Sequence, residues 1–189
     1  MGVLAIPGSL RNDSHNAKLL YSAAKLFPED TVLDLWGGLK SVPPYDEDDD
    51  GLDAPEAVTE LREAIARADA VLIATPEYNH SIPGQLKNAF DWVSRPIATN
   101  PMRNKPVAVI GASTGAFGGI WAQAELRKVL GALGARVLDV ELALPHAHEN
   151  FDEQGRLVGA GYAQQLLEVV DAIVAAAEQR AAVAEQVAV

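Results

Sequence analysis

Three polar loops contain the side chains whose types and spacing could support chemistry. The first follows an apolar N-terminal run and holds Ser9, Arg11, Ser14, His15 and Asn16. Hydroxyl and amide donors beside a guanidinium, ahead of a helix whose free N–H groups face the same place, suit a phosphate group. The same residues could instead only cap a helix and form a turn. Because the loop matches neither G-x-G-x-x-G nor G-x-x-x-x-G-K-[ST], the sequence does not indicate a Rossmann or P-loop nucleotide site.

The second loop combines a carboxylate, a phenol ring, an amide and an imidazole. Its candidate binding residues are Pro76, Glu77, Tyr78, Asn79 and His80. Together with backbone N–H groups, this mixture suits the edge of a flat heteroaromatic ring, which needs donors for its carbonyl groups and an aromatic wall. Two other interpretations stay open. The loop could be a turn fixed by its prolines, or Glu77 and Tyr78 could lie at a subunit interface, where aromatic residues are enriched.

The third loop, residues 111–119, is rich in glycine, which lets a backbone approach a ligand closely. Ser113 and Gly115 are its candidate binding residues, although ordinary turn chemistry explains the glycines equally well. Its Gly-Ala-Ser-Thr-Gly segment also matches G-x-S-x-G, so a hydrolase with Ser113 as nucleophile and His146 or His148 as base is a remote alternative. No metal site is predicted, because the two histidines are better explained as a solvated or packed pair.

Alternating strands and helices must position these loops. Short apolar runs predict five strands at residues 2–6, 31–36, 70–74, 106–110 and 135–140. Apolar residues at helical spacing predict five helices at residues 17–26, 56–68, 85–93, 120–133 and 162–178. The predicted core-facing positions of three of these helices are Val58, Leu61, Ile65, Ala68, Leu126, Val129, Leu130, Leu133, Leu166, Val169, Val170 and Ile173.

Asn12, Asp13 and Ser14 are all competent caps for the first helix. Ser81 is expected to cap the third, with Pro83 in its first turn.

This alternation predicts an α/β fold with a parallel sheet covered on both faces and joined by right-handed crossovers. Five strands with a phosphate-type loop after the first favour a flavodoxin-like three-layer sandwich of strand order 2-1-3-4-5. One domain over residues 1–189 is expected, with a tail after about residue 179 free to fray. In this order the first, third and fourth strands are neighbours, so the three loops should meet at one edge of the sheet.

Composition narrows the function classes. Fifteen basic and 26 acidic residues give a net charge of −11, which repels nucleic-acid phosphates and anionic lipid, so neither is an expected partner. The absence of cysteine excludes disulfides, thiolate metal sites and cysteine nucleophiles. No signal-like N-terminus and no apolar run of about 20 residues is present, so a cytoplasmic location is expected. The acidic run at residues 46–50 lacks the ligand spacing of an EF-hand and is interpreted as a solvated loop within the connection 37–55.

Three sequence blocks resemble the NADPH-dependent FMN reductase family. Residues 8–16 resemble its G-S-L-R-x-x-S-x-N signature, and residues 75–92 resemble its T-P-E-Y-N-x-S-x-P-G-x-L-K-N-x-x-D-W block. Residues 111–113, 118–119 and 126–127 match its third block. The blocks occur in the family's order and cover nearly the whole chain, and the resemblance is strongest to the chromate and quinone reductase type.

The resemblance implies a flavodoxin-like fold that binds FMN non-covalently. It implies that the first loop holds the phosphate, with His15 acting mainly through its backbone, and that the second and third loops border the isoalloxazine. It also implies a homodimer or homotetramer, with the helix at 83–93 as a contact. Two residues depart from the family pattern. Pro7 stands where serine is more common, and Trp121 stands where a smaller or basic residue is usual.

The function implied is an oxidoreductase in which NADPH or NADH passes hydride to FMN, and reduced FMN passes it to a small-molecule acceptor. Quinones, azo compounds, chromate and free flavin are all possible acceptors. No catalytic side chain is required, because the cofactor carries the chemistry and the protein binds and orients it. The alternative in another class is an FMN-binding electron carrier or redox-responsive module without efficient NAD(P)H turnover.

Overall fold

A parallel β-sheet with helices on both faces organises the chain. The computed structural model describes residues 1–51 and 54–187. Its strands are β1 Gly2–Pro7, β2 Val32–Leu35, β3 Ala70–Thr75, β4 Pro106–Ala112, β5 Arg136–Val137 and β6 Ala143–Leu144. Its α-helices are α1 His15–Ala24, α2 Glu56–Arg67, α3 Gly84–Val93, α4 Ile120–Ala132 and α5 Ala160–Val187. The strand order is β2-β1-β3-β4-β5, with all pairs parallel, which confirms the predicted topology.

Two hydrophobic cores lie on opposite faces of the sheet. Alternate strand residues supply each core, so Leu4 and Ile6 pack with α2, α3 and α4, whereas Val3 and Ala5 pack with α1 and α5. β3 and β4 are buried along their whole length, because helices cover both of their faces. The core-facing positions predicted for α2, α4 and α5 are all buried except Val129 and Leu133, which are partly buried against the core. The predicted three-layer arrangement is therefore confirmed.

The sheet edge beyond β4 differs from the prediction. The predicted strand at residues 135–140 is reduced to β5, and a further short strand that was not predicted, β6, also pairs with β4. The cause is Arg127 on α4. Its guanidinium donates to the carbonyls of Leu138 and Val140 and to that of Val109 on β4. Because a side chain occupies these carbonyls, the strand ladder is interrupted and the five-stranded sheet becomes six-stranded.

Ser14 caps α1. Its Oγ accepts a hydrogen bond of 3.2 Å from the backbone N–H of Ala17, so the helix begins at His15, earlier than the predicted start. Burial of Ser14 shields this bond from water.

We expect Ser14→Ala to lower the free energy of unfolding by about 1 kcal/mol, because the Ala17 N–H loses its acceptor. Urea denaturation measures this change. The matched control is Ser22→Ala, a serine inside α1, where alanine is the better helix former and the stability should be unchanged or slightly higher. Equal loss of stability in both variants would contradict the capping role.

The predicted cap of α3 is wrong. Asn79 and His80 both have positive φ, at 54° and 60°, and form a tight hairpin turn in which Tyr78 and Ser81 exchange backbone hydrogen bonds. This turn holds Ser81 too far from the helix to cap it, and its Oγ donates to Glu125 on α4 instead, at 2.5 Å. Pro83 is the N-cap residue rather than a member of the first turn.

Two further segments extend what the sequence indicated. α5 begins at Ala160 and continues beyond the predicted end at residue 178 to Val187, while residues 188 and 189 lie outside the described part of the chain. Residues 46–49 of the acidic run are exposed, whereas Asp50 forms an ion pair of 2.8 Å with Arg62. Residues 52 and 53 of that connection also lie outside the described part.

Within residues 1–51 and 54–187, no helix combines the length and apolarity that crossing a bilayer requires.

A buried lysine joins the start of β4 to the end of α2. Lys105 is only 1 % exposed, and its Nζ donates to the carbonyls of Ala66 and Ala68, at the C-terminal end of α2. Burial, together with a smaller contribution from the charge of Arg180, lowers the pKa of Lys105 to about 8, and Asp69 opposes the shift.

This lowered pKa predicts a stability gain in alkaline solution. Between about pH 8 and pH 10.5 the folded state binds fewer protons than the unfolded state, so the free energy of unfolding should rise with pH across that window. The gain should be at most about 3 kcal/mol. Urea denaturation of the wild type and Lys105→Met at several pH values isolates the effect, because the variant lacks the titrating group. Parallel stability curves for the two proteins would refute the prediction.

Candidate functional site

A cavity of about 310 Å³ lies where the three predicted loops meet, at the carboxyl ends of β1, β3 and β4. Its lining residues are Ser9, Arg11, Ser14, His15, Asn16, Pro76, Glu77, Tyr78, Ala112, Ser113 and Thr114. The predicted convergence of the loops is confirmed. A larger cavity of about 560 Å³ lies among the C-terminal ends of α3 and α4, and it contains none of the loop residues.

Three predicted site residues do not line this cavity. Asn79 and His80 occupy the exposed tip of the hairpin turn, which carries them away from the sheet edge. Gly115 is absent from the lining, although its N–H donates to the Oγ of Ser113 at 3.1 Å. Conversely, Ala112 and Thr114 line the cavity without having been predicted, because flanking residues of a loop carry no chemical signal of their own.

The first loop offers unused hydrogen-bond donors to the cavity. Among the described residues, the backbone N–H groups of His15 and Asn16, in the first turn of α1, have no acceptor. The hydroxyl of Ser14 accepts from Ala17 and keeps its own proton for another acceptor. Arg11 adds an exposed guanidinium. The start of the loop is fixed despite Pro7, because the next N–H, that of Gly8, bonds to the carbonyl of Ala74 at 2.8 Å.

Asn16 has a role that the sequence did not indicate. Its side-chain amide donates to the carbonyl of Ala112 at 3.0 Å and accepts from the N–H of the same residue at 2.9 Å. The amide therefore clamps α1 to the end of β4 and sets the distance between the first and third loops. Of the two side-chain N–H protons of Asn16, only one is left for a ligand.

His15 lines the cavity. Its Nδ1 is buried and has no hydrogen-bond partner among the described residues, and its ring stacks on Phe151 with 5.9 Å between centroids. Burial lowers the pKa of His15, and the charges of Arg11 and Lys18 lower it further. Phe151 was missed because it lies in a segment that reads as a polar loop, far along the chain from His15.

Glu77 bonds to the helix that follows the third loop. Its Oε2 accepts from the backbone N–H groups of Trp121 and Ala122, at 3.0 and 3.1 Å. Its Oε1 lies 3.6 Å from Nδ1 of His80, and its side chain is only 13 % exposed. In contrast, Tyr78 is 53 % exposed and provides an open aromatic ring beside the cavity.

The third loop is held by close backbone contacts. Gly118 has a φ of 61°, and a Cβ at this position would lie 2.5 Å from the carbonyl carbon of Ala143, so only glycine fits between the loop and β6. Ser113 follows β4 directly, but α4 begins only at Ile120, so no nucleophile elbow is formed. Among the described residues, the only side-chain hydrogen bond of Ser113 is that from Gly115, and no histidine forms a hydrogen bond with its hydroxyl. The hydrolase alternative therefore has no support.

The arrangement fits a phosphorylated flat ring. Free helix N–H groups, a hydroxyl proton and a guanidinium converge in the first loop, and such a donor set suits a phosphate dianion. The loops after β3 and β4 add a neighbouring cleft with one exposed aromatic wall. Fold and cavity together define a flavodoxin-like α/β protein with a donor-rich loop beside an open cleft.

Comparison with known proteins identifies the family. The model of the NADPH-dependent FMN reductase family matches residues 1–149. The NAD(P)H-dependent FMN reductase of Pseudomonas aeruginosa is 45 % identical over 157 residues, which are 82 % of this chain and 84 % of that protein. The 2-hydroxy-1,4-benzoquinone reductase of a Burkholderia species is 42 % identical over 159 residues, which are 82 % and 85 % of the two chains. The solved structure of FerB, a flavoenzyme NAD(P)H:(acceptor) oxidoreductase from Paracoccus denitrificans, superposes with a TM-score of 0.86 at 38 % identity, covering 94 % and 97 % of the chains.

The chain belongs to the NADPH-dependent FMN reductase family. This membership confirms the resemblance found in the sequence, and with it the predicted class, an NAD(P)H-dependent oxidoreductase that uses FMN. The match to FerB also confirms the flavodoxin-like fold.

Proposed function

We propose that the chain is an NAD(P)H-dependent FMN oxidoreductase whose second substrate is a quinone or another flat, electron-poor acceptor. The observation that carries the proposal is the set of unused donors in the first loop, which adjoins an open cleft formed by the second and third loops. Relatives named for FMN and for quinone reduction support the same substrates.

In this proposal the first loop binds the FMN phosphate. Arg11, Ser9 and Ser14 would supply side-chain donors, and the N–H groups of His15 and Asn16 would supply the positive end of α1. The phosphate would thereby anchor the cofactor at one end and leave its ring system to the neighbouring cleft.

The isoalloxazine would lie between the second and third loops. Pro76, Glu77 and Tyr78 would border one edge, and Ser113 and Thr114 would approach from the other. When bound, FMN would accept hydride from NAD(P)H and transfer it to the acceptor, which is chemistry that no side chain of the site supplies. The residues of the site would bind and orient the cofactor. Because Tyr78 is exposed, the cleft would stay open to solvent beside it, so that NAD(P)H and the electron acceptor enter in turn.

We further propose that the protein is a cytoplasmic homo-oligomer. Exposed aromatic residues cluster beside the cavity, where Trp121 makes edge-on contacts with Phe117 and with His80. Aromatic side chains in such positions are typical of subunit interfaces. The predicted contact through α3 has less support, because half of the residues of that helix, including its large apolar side chains, are buried in the protein's own core.

The test begins with the visible spectrum of the purified protein. We expect a yellow protein, or one that turns yellow and stays so after FMN is added and unbound cofactor is removed. Stopped-flow mixing with NADPH, and separately with NADH, should bleach the flavin band, and benzoquinone should restore it. A colourless protein that takes up no FMN would refute the proposal. Stable FMN binding with no bleaching by either nucleotide would instead favour the electron carrier.

A further inference from the structure

The helix after the third loop lacks a cap of its own. Gly119 occupies the N-cap position of α4 with a φ of 81°, and it has no side chain that could accept from the first N–H groups of the helix. These N–H groups carry the positive end of the helix dipole and need an acceptor.

Glu77 supplies the missing acceptor from a different loop. One oxygen of its carboxylate takes both N–H groups, from Trp121 and Ala122, and the negative charge complements the helix dipole. The Glu77 side chain is largely buried, and its bond to Ala122 is partly buried while that to Trp121 lies at the surface. The carboxylate of Glu77 is therefore bonded to α4, whereas the sequence alone suggested that Glu77 borders a flat ring.

A second connection joins the same two elements. The Oγ of Ser81 donates to Glu125, one helical turn further along α4, and the ring of His80 contacts that of Trp121 at 4.8 Å. The hairpin after β3 is therefore attached to the first two turns of α4. Since α4 follows the third loop directly, these contacts attach the end of the third loop to the second loop.

We propose that Glu77 is a positioning residue that caps α4 across the cavity and so holds the second and third loops at the separation the flavin ring needs. The inference rests on the proposed function, which places the ring between these loops. Glu77 acts through the backbone of α4 and transfers no proton.

Amide hydrogen exchange of the FMN-free protein tests the cap independently of the cofactor. In Glu77→Ala the Trp121 and Ala122 amides should exchange about tenfold faster, and in Glu77→Gln much less so, because the amide oxygen still accepts from both N–H groups. The matched control is Glu63→Ala, which removes an exposed carboxylate on α2 that pairs only with Arg67. Unchanged exchange at Trp121 and Ala122 in Glu77→Ala would overturn the inference, whatever the protein binds.

FMN titration then tests the link to the flavin. The dissociation constant should rise about tenfold in Glu77→Ala, with a shifted flavin absorbance band, and recover most of the wild-type value in Glu77→Gln. Equal FMN affinity in all variants, with faster exchange in Glu77→Ala, would reduce Glu77 to a helix cap and overturn its positioning role. If the wild type itself took up no FMN, the proposed function would fail, and the exchange data would still decide whether Glu77 couples the two loops.

Discussion

Replacing Arg11 with alanine should raise the dissociation constant for FMN by about 10- to 100-fold, because a phosphate loses its only guanidinium partner in the first loop. The fold should be unaffected, since the Arg11 side chain is exposed and makes no hydrogen bond within the described residues. Fluorescence titration with FMN measures the affinity, and urea denaturation of the FMN-free protein measures the stability.

Riboflavin, which lacks the phosphate, separates the phosphate contact from the ring contact. Its weaker binding should be the same in the wild type and in Arg11→Ala. The protein control is Arg103→Ala, which removes an arginine from the larger cavity away from the loops and should leave FMN binding unchanged. Undiminished affinity for FMN in Arg11→Ala would mean that the phosphate does not lie at the first loop.

Arg127→Met should lower the free energy of unfolding by about 3–5 kcal/mol, because three backbone carbonyls at the broken sheet edge would lose their donor. Methionine fills much of the volume of the arginine stem, so the loss reports mainly on the guanidinium. Urea denaturation gives the change, and a constant m-value would show that the unfolded reference state is the same.

The matched control for this change is Arg136→Met on β5. Within the described part of the chain, the guanidinium of Arg136 bonds only to the exposed side chain of Gln179, so its loss should change stability by no more than about 0.5 kcal/mol. Similar destabilisation in both variants would mean that removal of any cation from this edge is costly, and that the carbonyl contacts of Arg127 are not the cause.

The sequence was informative wherever local pattern decides structure. The apolar runs of β1, β3 and β4 and the helical spacing of residues such as Leu166 and Val170 predict a doubly covered parallel sheet, and the convergence of three loops follows from the order of its strands. The position of the first loop was also predictable from local pattern, because its polar residues lead into the helical pattern of α1. Ser14 and His15 stand at the start of that helix.

What the sequence did not reveal depends on contacts between distant residues. The break in the fifth strand comes from Arg127, whose competition for strand carbonyls leaves no trace in the strand's own residues. The bonds from α4 to Glu77 could likewise not be predicted, because nothing in the local sequence shows that the second loop contacts the helix after the third loop. One signal was available, since Gly118 and Gly119 precede a helix and neither has a side chain that could accept from its first N–H groups, which leaves these groups to water or to an acceptor from another segment.

The interrupted sheet edge also affects how the folded molecules behave towards one another. An exposed edge strand attracts strands of other molecules when it presents a continuous row of free N–H and C=O groups. Here β5 and β6 are only two residues long each, so this edge offers a second molecule only short stretches of strand to pair with. The carbonyls of Leu138 and Val140 are bonded to Arg127 on the side of β4, and the strand therefore does not continue between β5 and β6. Such short strands at an edge disfavour edge-to-edge aggregation at high concentration.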